Sequence, residues 1–251
     1  YAAAGEEPVA VAGAHVPFVL VRGPWTVAFR EGPQADAPPA LAWRPFGLGK
    51  AVVLSVDPAR SVGSFPAQGG NTRLEVSDET AASGRYSLKY VDDPVAPHVF
   101  YPDLENYVPA FGTPSYVGGE LSCRLKLGPG SHVVVDIRSS TGPIQGPSVS
   151  LGAQGKAWAG GQEIGPIPWG EWFRLIIAYS FATDDTKSEF DATLVYADGS
   201  RRTAHAAAAE PGFHATDWFP IYGAGTEPAV FYLDDLELSR ITADGQGSPA
   251  L

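Results

Sequence analysis

The stretch VFYLDDLELS, residues 230–239, sets two adjacent carboxylates inside a strand-like apolar run. Neighbouring residues of a strand project to opposite faces. Asp234 and Asp235 therefore cannot form the facing pair that glycosidic hydrolysis requires. Leu236 and Leu238 share the parity of Asp234, which turns that carboxylate toward the core side. A carboxylate there must be met by hydrogen bonds or by a cation to offset its loss of water. Two roles stay open: a ligand of a hard ion such as Ca2+, or a structural Asp that caps backbone or pairs with a base.

Other acids do not complete a catalytic set. Glu189 and Asp191 in KSEFDATL share one strand face at i,i+2, but no third acid accompanies them, and a solvated strand face accounts for both. His15, His98, His132, His205 and His214 are scattered, with neither His-x-His nor His-Glu-x-x-His spacing. No Gly-x-Ser-x-Gly elbow or Gly-x-Gly-x-x-Gly turn is present. Elimination on a uronate needs a Tyr, His or Lys base and a cation beside the carboxylate. Tyr101, His98 and Arg138 supply the residue types, but their spacing tests nothing.

Aromatic residues are better placed for chemistry. Trp158 and Trp169 stand in the glycine-rich text KAWAGGQEIGPIPWGEW, and Trp218 and Tyr222 in TDWFPIYGAG. An exposed indole or phenol can stack on the apolar face of a sugar while amides and acids bind its hydroxyls. Tyr101, Tyr107 and Tyr116, in YPDLENYVPAFGTPSY, form a third loop cluster suited to wall the same groove, and Arg138 can reach it from a strand. Packing over a sheet edge is the competing account of each aromatic. Trp172 opens a strongly apolar strand and reads as core.

Composition limits the partners. The chain has 251 residues, with 28 acidic and 17 basic, a formal net charge of -11. Phosphate recognition relies on clustered Lys and Arg, so nucleic acid is not an expected partner, nor is an anionic membrane. The apolar runs VPFVLV and AVVLSV are too short to span a bilayer as helices. The single cysteine, Cys123 in LSCRLKL, excludes an internal disulfide and reads as a buried small hydrophobe.

The 29 glycines and 23 prolines oppose long helices and favour short strands joined by turns. Residues 1–62 carry four strand-like runs and read as a small β-rich segment, the remnant of a preceding domain or an addition to the main one. From residue 63 to 243, nine further runs come at short spacing. In SHVVVDIRS the valines are too continuous for strict alternation, which suggests a strand covered on both sides. FDATLVYADGSRRT reads as a hairpin around Asp-Gly. AHAAAAEP supports a brief helical turn or a small-residue strand. Residues 244–251 read as a flexible tail. The architecture expected is all-β, two antiparallel sheets packed as a sandwich.

Three pieces in order carry a resemblance: SGRYSLKYVDD (83–93), the Trp-led WGEWFRLIIAYSFATDDTKSEFDATLVYADGS (169–200) and VFYLDDLELS. Together they resemble the concanavalin A-like and carbohydrate-binding-module jelly rolls over residues 64–241; residues 1–62 have no counterpart there. The resemblance implies a jelly-roll sandwich. It also implies a structural Ca2+ held by Asp234 and backbone oxygens of residues 77–84, although GSFPAQGGN lacks the acid expected at the family's first strand. The function it implies is that of a non-catalytic glycan-binding or accessory module of a secreted, carbohydrate-active protein, with a polysaccharide or another domain of the same protein as partner. The alternatives are a jelly-roll hydrolase or lyase, and a structural domain packed against a catalytic one.

Overall fold

The computed structural model describes residues 21–23, 26–30, 39–46, 50–55, 72–93, 103–104, 107–140, 144–242 and 247–249, with side chains over 72–93, 110–140 and 144–242. Four strands, β1 (Val21–Gly23), β2 (Thr26–Arg30), β3 (Pro39–Phe46) and β4 (Lys50–Ser55), pair in sequence order as a separate small sheet. The remaining strands make the expected two-sheet antiparallel sandwich.

The back sheet contains β5 (Arg73–Ser77), β6 (Ser87–Asp92), β9 (Tyr116–Leu127), β14 (Trp172–Ser180), β15 (Lys187–Val195), β16 (Arg201–Pro211) and β19 (Ala229–Thr242). Its order is β16-β15-β14-β9-β19-β6-β5. The front sheet contains β7 (Asp103–Leu104), β8 (Tyr107–Gly112), β10 (Val133–Ser139), β11 (Ile144–Leu151), β12 (Lys156–Ala159), β13 (Gln162–Pro166), β17 (Ala215–Trp218) and β18 (Ile221–Gly223). Its order is β13-β12-β11-β10-β17-β8, with β18 joining β10 to β7. A last strand, β20 (Gly247–Pro249), lies within the segment read as a tail and pairs with Ser239–Ile241.

Period-two burial drives the assembly. Leu121, Cys123, Leu125 and Leu127 of β9 and Phe173, Leu175 and Ile177 of β14 are buried, as are Val133, Val135 and Ile137 of β10 and Val149 and Leu151 of β11. These residues belong to one core cluster, and the apolar area removed from water is what holds the sheets together. Burial pushes the Cys123 thiol up to about 12, so it stays a neutral packing group.

Three sequence expectations change or resolve here. Trp172 is not a core residue: β14 buries Phe173, Leu175 and Ile177, and the opposite parity leaves Trp172 half-buried on the outer face of the back sheet. Its ring sits 6.5 Å from that of Tyr232, and its Nε1 donates to Thr80 Oγ1 at 3.2 Å. AHAAAAEP is a strand, part of β16, with Ala204, Ala206 and Ala208 buried. Asp234 and Asp235 do not sit on a regular strand. A bulge shifts the β19–β9 register between Asp234 and Glu237, and Asp235 has φ of 47°. Buried residues accordingly change parity, from Phe231 and Leu233 to Leu236 and Leu238.

Candidate functional site

Alternation along β10 builds the front face. Val133, Val135 and Ile137 point into the core, so His132, Val134, Asp136 and Arg138 point the other way. Their neighbours are set by strand register. Ser150 lies opposite Val134 and Ser148 opposite Asp136 on β11, and Gln145 lies opposite Arg138 after a bulge. Tyr222 of β18 pairs with Val134, and Trp218 of β17 with Arg138. Trp158 of β12 continues the row from Ser150, and Glu163 of β13 comes after Trp158.

Asp136 is the centre of this face and is fully buried. Its Oδ2 accepts from Arg138 Nη2 at 2.5 Å and Nε at 3.1 Å, and from the Tyr222 hydroxyl at 3.4 Å. Gln145 Nε2 donates to its Oδ1 at 3.3 Å. The carboxylate thus holds a guanidinium, a phenol and an amide around one point of the sheet. Arg138 in turn lies over the Trp218 ring, 5.1 Å from its centroid. Thr216 Oγ1 donates to the Arg138 carbonyl at 2.9 Å, tying β17 to the same point.

His132 shares a 2.8 Å hydrogen bond with Ser150 Oγ. Burial holds its pKa below the usual imidazole value, which keeps the ring uncharged at neutral pH. At the far side, Lys156 Nζ pairs with Glu163 at 2.6 Å and lies 5.9 Å from the centroid of the half-buried Trp158 ring.

The aromatic residues singled out in sequence separate. Trp158, Trp218, Tyr222 and Arg138 share the front face; Tyr107 joins them by backbone register, opposite Trp218. Tyr222 is only 9% exposed, and its hydroxyl is spent on the buried Asp136, so it braces the face rather than standing out from it. Trp169 packs partly buried against the core at the sandwich end, with its ring over the turn at Gly152 and Gly155. Tyr116 belongs to the back sheet, edge-on to Phe111 and beneath the Arg240 guanidinium at 5.3 Å. Tyr101 lies outside the described residues. His132, Asp136, Gln145, Ser148 and Ser150 were missed by the sequence reading. The even spacing of His132, Asp136 and Arg138 (i, i+4 and i+6) within the apolar text was the available signal.

Asp234 and Asp235 serve a different purpose. Asp234 Oδ2 accepts from the backbone amides of Ala82 and Ser83 at 2.8 and 3.0 Å, and Oδ1 accepts from Asp235 N at 2.8 Å. Asp235 takes the Ser83 hydroxyl at 2.5 Å and faces Arg124 Nε at 3.4 Å. Both carboxylates therefore hold the loop between β5 and β6. Tyr232 and Lys89 bind its Glu79 at 2.7 and 2.5 Å, and Trp172 and Lys126 bind its Thr80. Calcium is held by oxygen ligands; the contacts that Asp234 makes in this structure are with N–H groups. Among the described residues, no cluster of three or more His, Cys, Asp or Glu is arranged to hold a metal.

Glu189 and Asp191 sit on the exposed face of β15, flanking His205 of β16. Asp191 Oδ1 is 2.8 Å from His205 Nδ1 and raises that imidazole above its usual pKa. They lie on the back sheet, away from the front-face groups.

No family model and no curated protein matches the sequence. Among solved structures, the chain is similar to an endo-β-1,4-glucuronan lyase from the fungus Trichoderma reesei, at TM-score 0.51 and 10% identity over 68% of this chain and 88% of that one. A cellulose-induced protein aligns at TM-score 0.40 and 12% identity over 72% and 95%. A seed lectin of Lotus tetragonolobus aligns at 0.38 and 8% over 68% and 93%. At 10% identity the likeness to the lyase concerns the fold alone.

Proposed function

We propose that this chain is a polysaccharide-binding module whose ligand lies along the front face. The observation that carries the reading is the buried Asp136 and the groups it organises. A charged carboxylate with no exposure is a costly device for a sheet face, and here it holds Arg138 and Gln145 beside Trp218, with the buried Tyr222 hydroxyl as a further partner. Fixed hydrogen-bonding groups next to partly exposed aromatics suit sugar hydroxyls and sugar ring faces. The fold shared with a glucuronan-cleaving enzyme supports a glycan over other small ligands. A polysaccharide partner implies action outside the cell, with residues 63–243 as the binding unit.

Binding to a panel of immobilised polysaccharides, with chain length and reducing ends followed over time, tests the reading. The expected result is retention on at least one polymer without change in the polymer, weakened by Trp218→Ala or Trp158→Ala in a chain that remains folded. Absence of retention on every polymer would favour an assembly domain.

One observation favours a second reading, cleavage of the bound chain. Tyr222, the uncharged His132, Arg138 and Gln145 share the face. They are residue types able to move a proton and to face an acidic group. Time-dependent appearance of unsaturated ends, lost in Tyr222→Phe or His132→Ala, would move the assignment to a lyase.

A further inference from the structure

We infer that the ligand of the front face is an uncharged polysaccharide, long enough to reach from Trp158 to Trp218. This rests on the reading of that face as a glycan site, and deepens it. Among the described side chains, the face presents two cations, and each is already matched. Arg138 spends two N–H groups on Asp136, and Lys156 lies 2.6 Å from Glu163. His132 adds no positive charge, since burial keeps its ring neutral.

The rim adds further carboxylates that meet amides and a hydroxyl rather than cations. Glu210 accepts from the Gln145 backbone N–H at 2.7 Å, and Asp217 from the Ser140 backbone N–H at 2.7 Å and from its hydroxyl. Among the described side chains, two cations thus stand against four carboxylates on a chain of net charge -11. A polyuronate would bring a carboxylate on each sugar into that field. To pair with one would demand that Arg138, whose charge Asp136 already offsets, meet a second carboxylate with its remaining N–H groups, against the repulsion of the other acids. A neutral sugar makes no such demand. Its hydroxyls take the remaining donors of Arg138 and Gln145 and the hydroxyls of Ser148 and Ser150, and its ring faces lie on indole.

Register sets the length. Trp158 and Trp218 are three strand spacings apart across β12, β11, β10 and β17, and four residues apart along β10, between Val134 and Arg138. Strand spacing and rise place their backbones about 20 Å apart on the diagonal. A single sugar touches one indole; an oligosaccharide of several rings touches both.

The test is a binding series with the full chain. Neutral glucan, xylan, mannan and galactan are compared with polyglucuronate, alginate and chitosan at low and at 0.3 M salt, and then oligosaccharides of increasing length from the best polymer are titrated. The expected result is preference for a neutral polymer by at least tenfold, little change with salt, and affinity that climbs with length and then levels off. Trp158→Ala and Trp218→Ala should each abolish the gain from length. A polyuronate or chitosan bound more tightly than every neutral polymer, and still weakened by those two substitutions, would overturn the charge inference while leaving the face as the binding site. Affinity independent of length would overturn the bridging. Binding indifferent to both substitutions, or no binding, would remove the site itself.

Discussion

The guanidinium of Arg138 is held between a ring and a buried acid: its Cζ lies 5.1 Å from the Trp218 centroid, and its Nη2 donates to Asp136 at 2.5 Å. The side chain is a quarter exposed, while the Asp136 carboxylate has no exposure. Stacking and pairing together fix one rotamer of a long side chain, which is what a presented hydrogen-bonding fork needs.

Truncating Arg138 should therefore cost more than a surface ion pair. Arg138→Ala leaves Asp136 buried without its charge partner, and urea unfolding should show a loss of about 3–5 kcal/mol. The double variant Asp136→Asn with Arg138→Met should recover most of that loss. If the double variant is as unstable as the single one, packing against Trp218 is the dominant contribution.

Asp234 predicts a stability defect that is independent of metal. Asp234→Ala leaves three backbone amides without their carboxylate, at about 1–3 kcal/mol for each one that stays buried. The melting temperature should fall in the variant and stay unchanged when the parent chain is treated with a strong chelator. A fall on chelation, reversed by added calcium, would restore the ion to this loop through its preference for the folded state.

Trp172 and Phe173 are adjacent but belong to opposite faces. Phe173→Ala empties a site in the sealed core and should cost about 3–5 kcal/mol. Trp172→Ala removes a half-buried ring and the Thr80 hydrogen bond, and should cost roughly half as much, with the effect read as faster proteolysis within 78–86. Equal losses in denaturant would return Trp172 to the core.

Asp92 predicts a pH signature. Burial raises its pKa to about 6, against the Gly225 amide that donates to it at 3.4 Å. Between about pH 4 and pH 6 the folded chain keeps a proton that the unfolded chain releases, so this contribution is full below pH 4 and is lost as pH rises through 6. Burial also raises Asp234, which acts in the same direction. Asp92→Asn should be more stable than the parent at pH 7, by about 2–3 kcal/mol, with the gap closing near pH 4. A gap that does not vary with pH would assign the effect to hydrogen bonding instead.

Much of the fold was written in local pattern. Alternation in GELSCRLKLG and EWFRLIIAYS, with turns set by Gly and Pro, determines strands with one buried face, because period-two side chains can be hidden on one side only. Two such sheets then close on each other. The hairpin around Asp198 and Gly199 was equally local, as the φ of 83° at Gly199 requires a residue without a side chain.

The tertiary structure decided what each strand's second face does. Asp234 is buried with Leu236 and Leu238, as their shared parity implied, but the bulge at Asp235 that also buries Leu233 was not legible, because a bulge depends on the partner strand and on the loop that Ser83 brings from 152 residues away. The parity of Trp172 was set in sequence by its neighbours, but its partners were not: Thr80 and Tyr232 reach it only after β5, β6 and β19 align. SHVVVDIRS hid the front face in the same way. Its valines mask the His132, Asp136 and Arg138 row, which acquires chemical meaning only when β11, β17 and β18 bring Gln145, Trp218 and Tyr222 beside it. Side-chain alternation is a property of a few consecutive residues, whereas a shared face is assembled from strands distant in the chain.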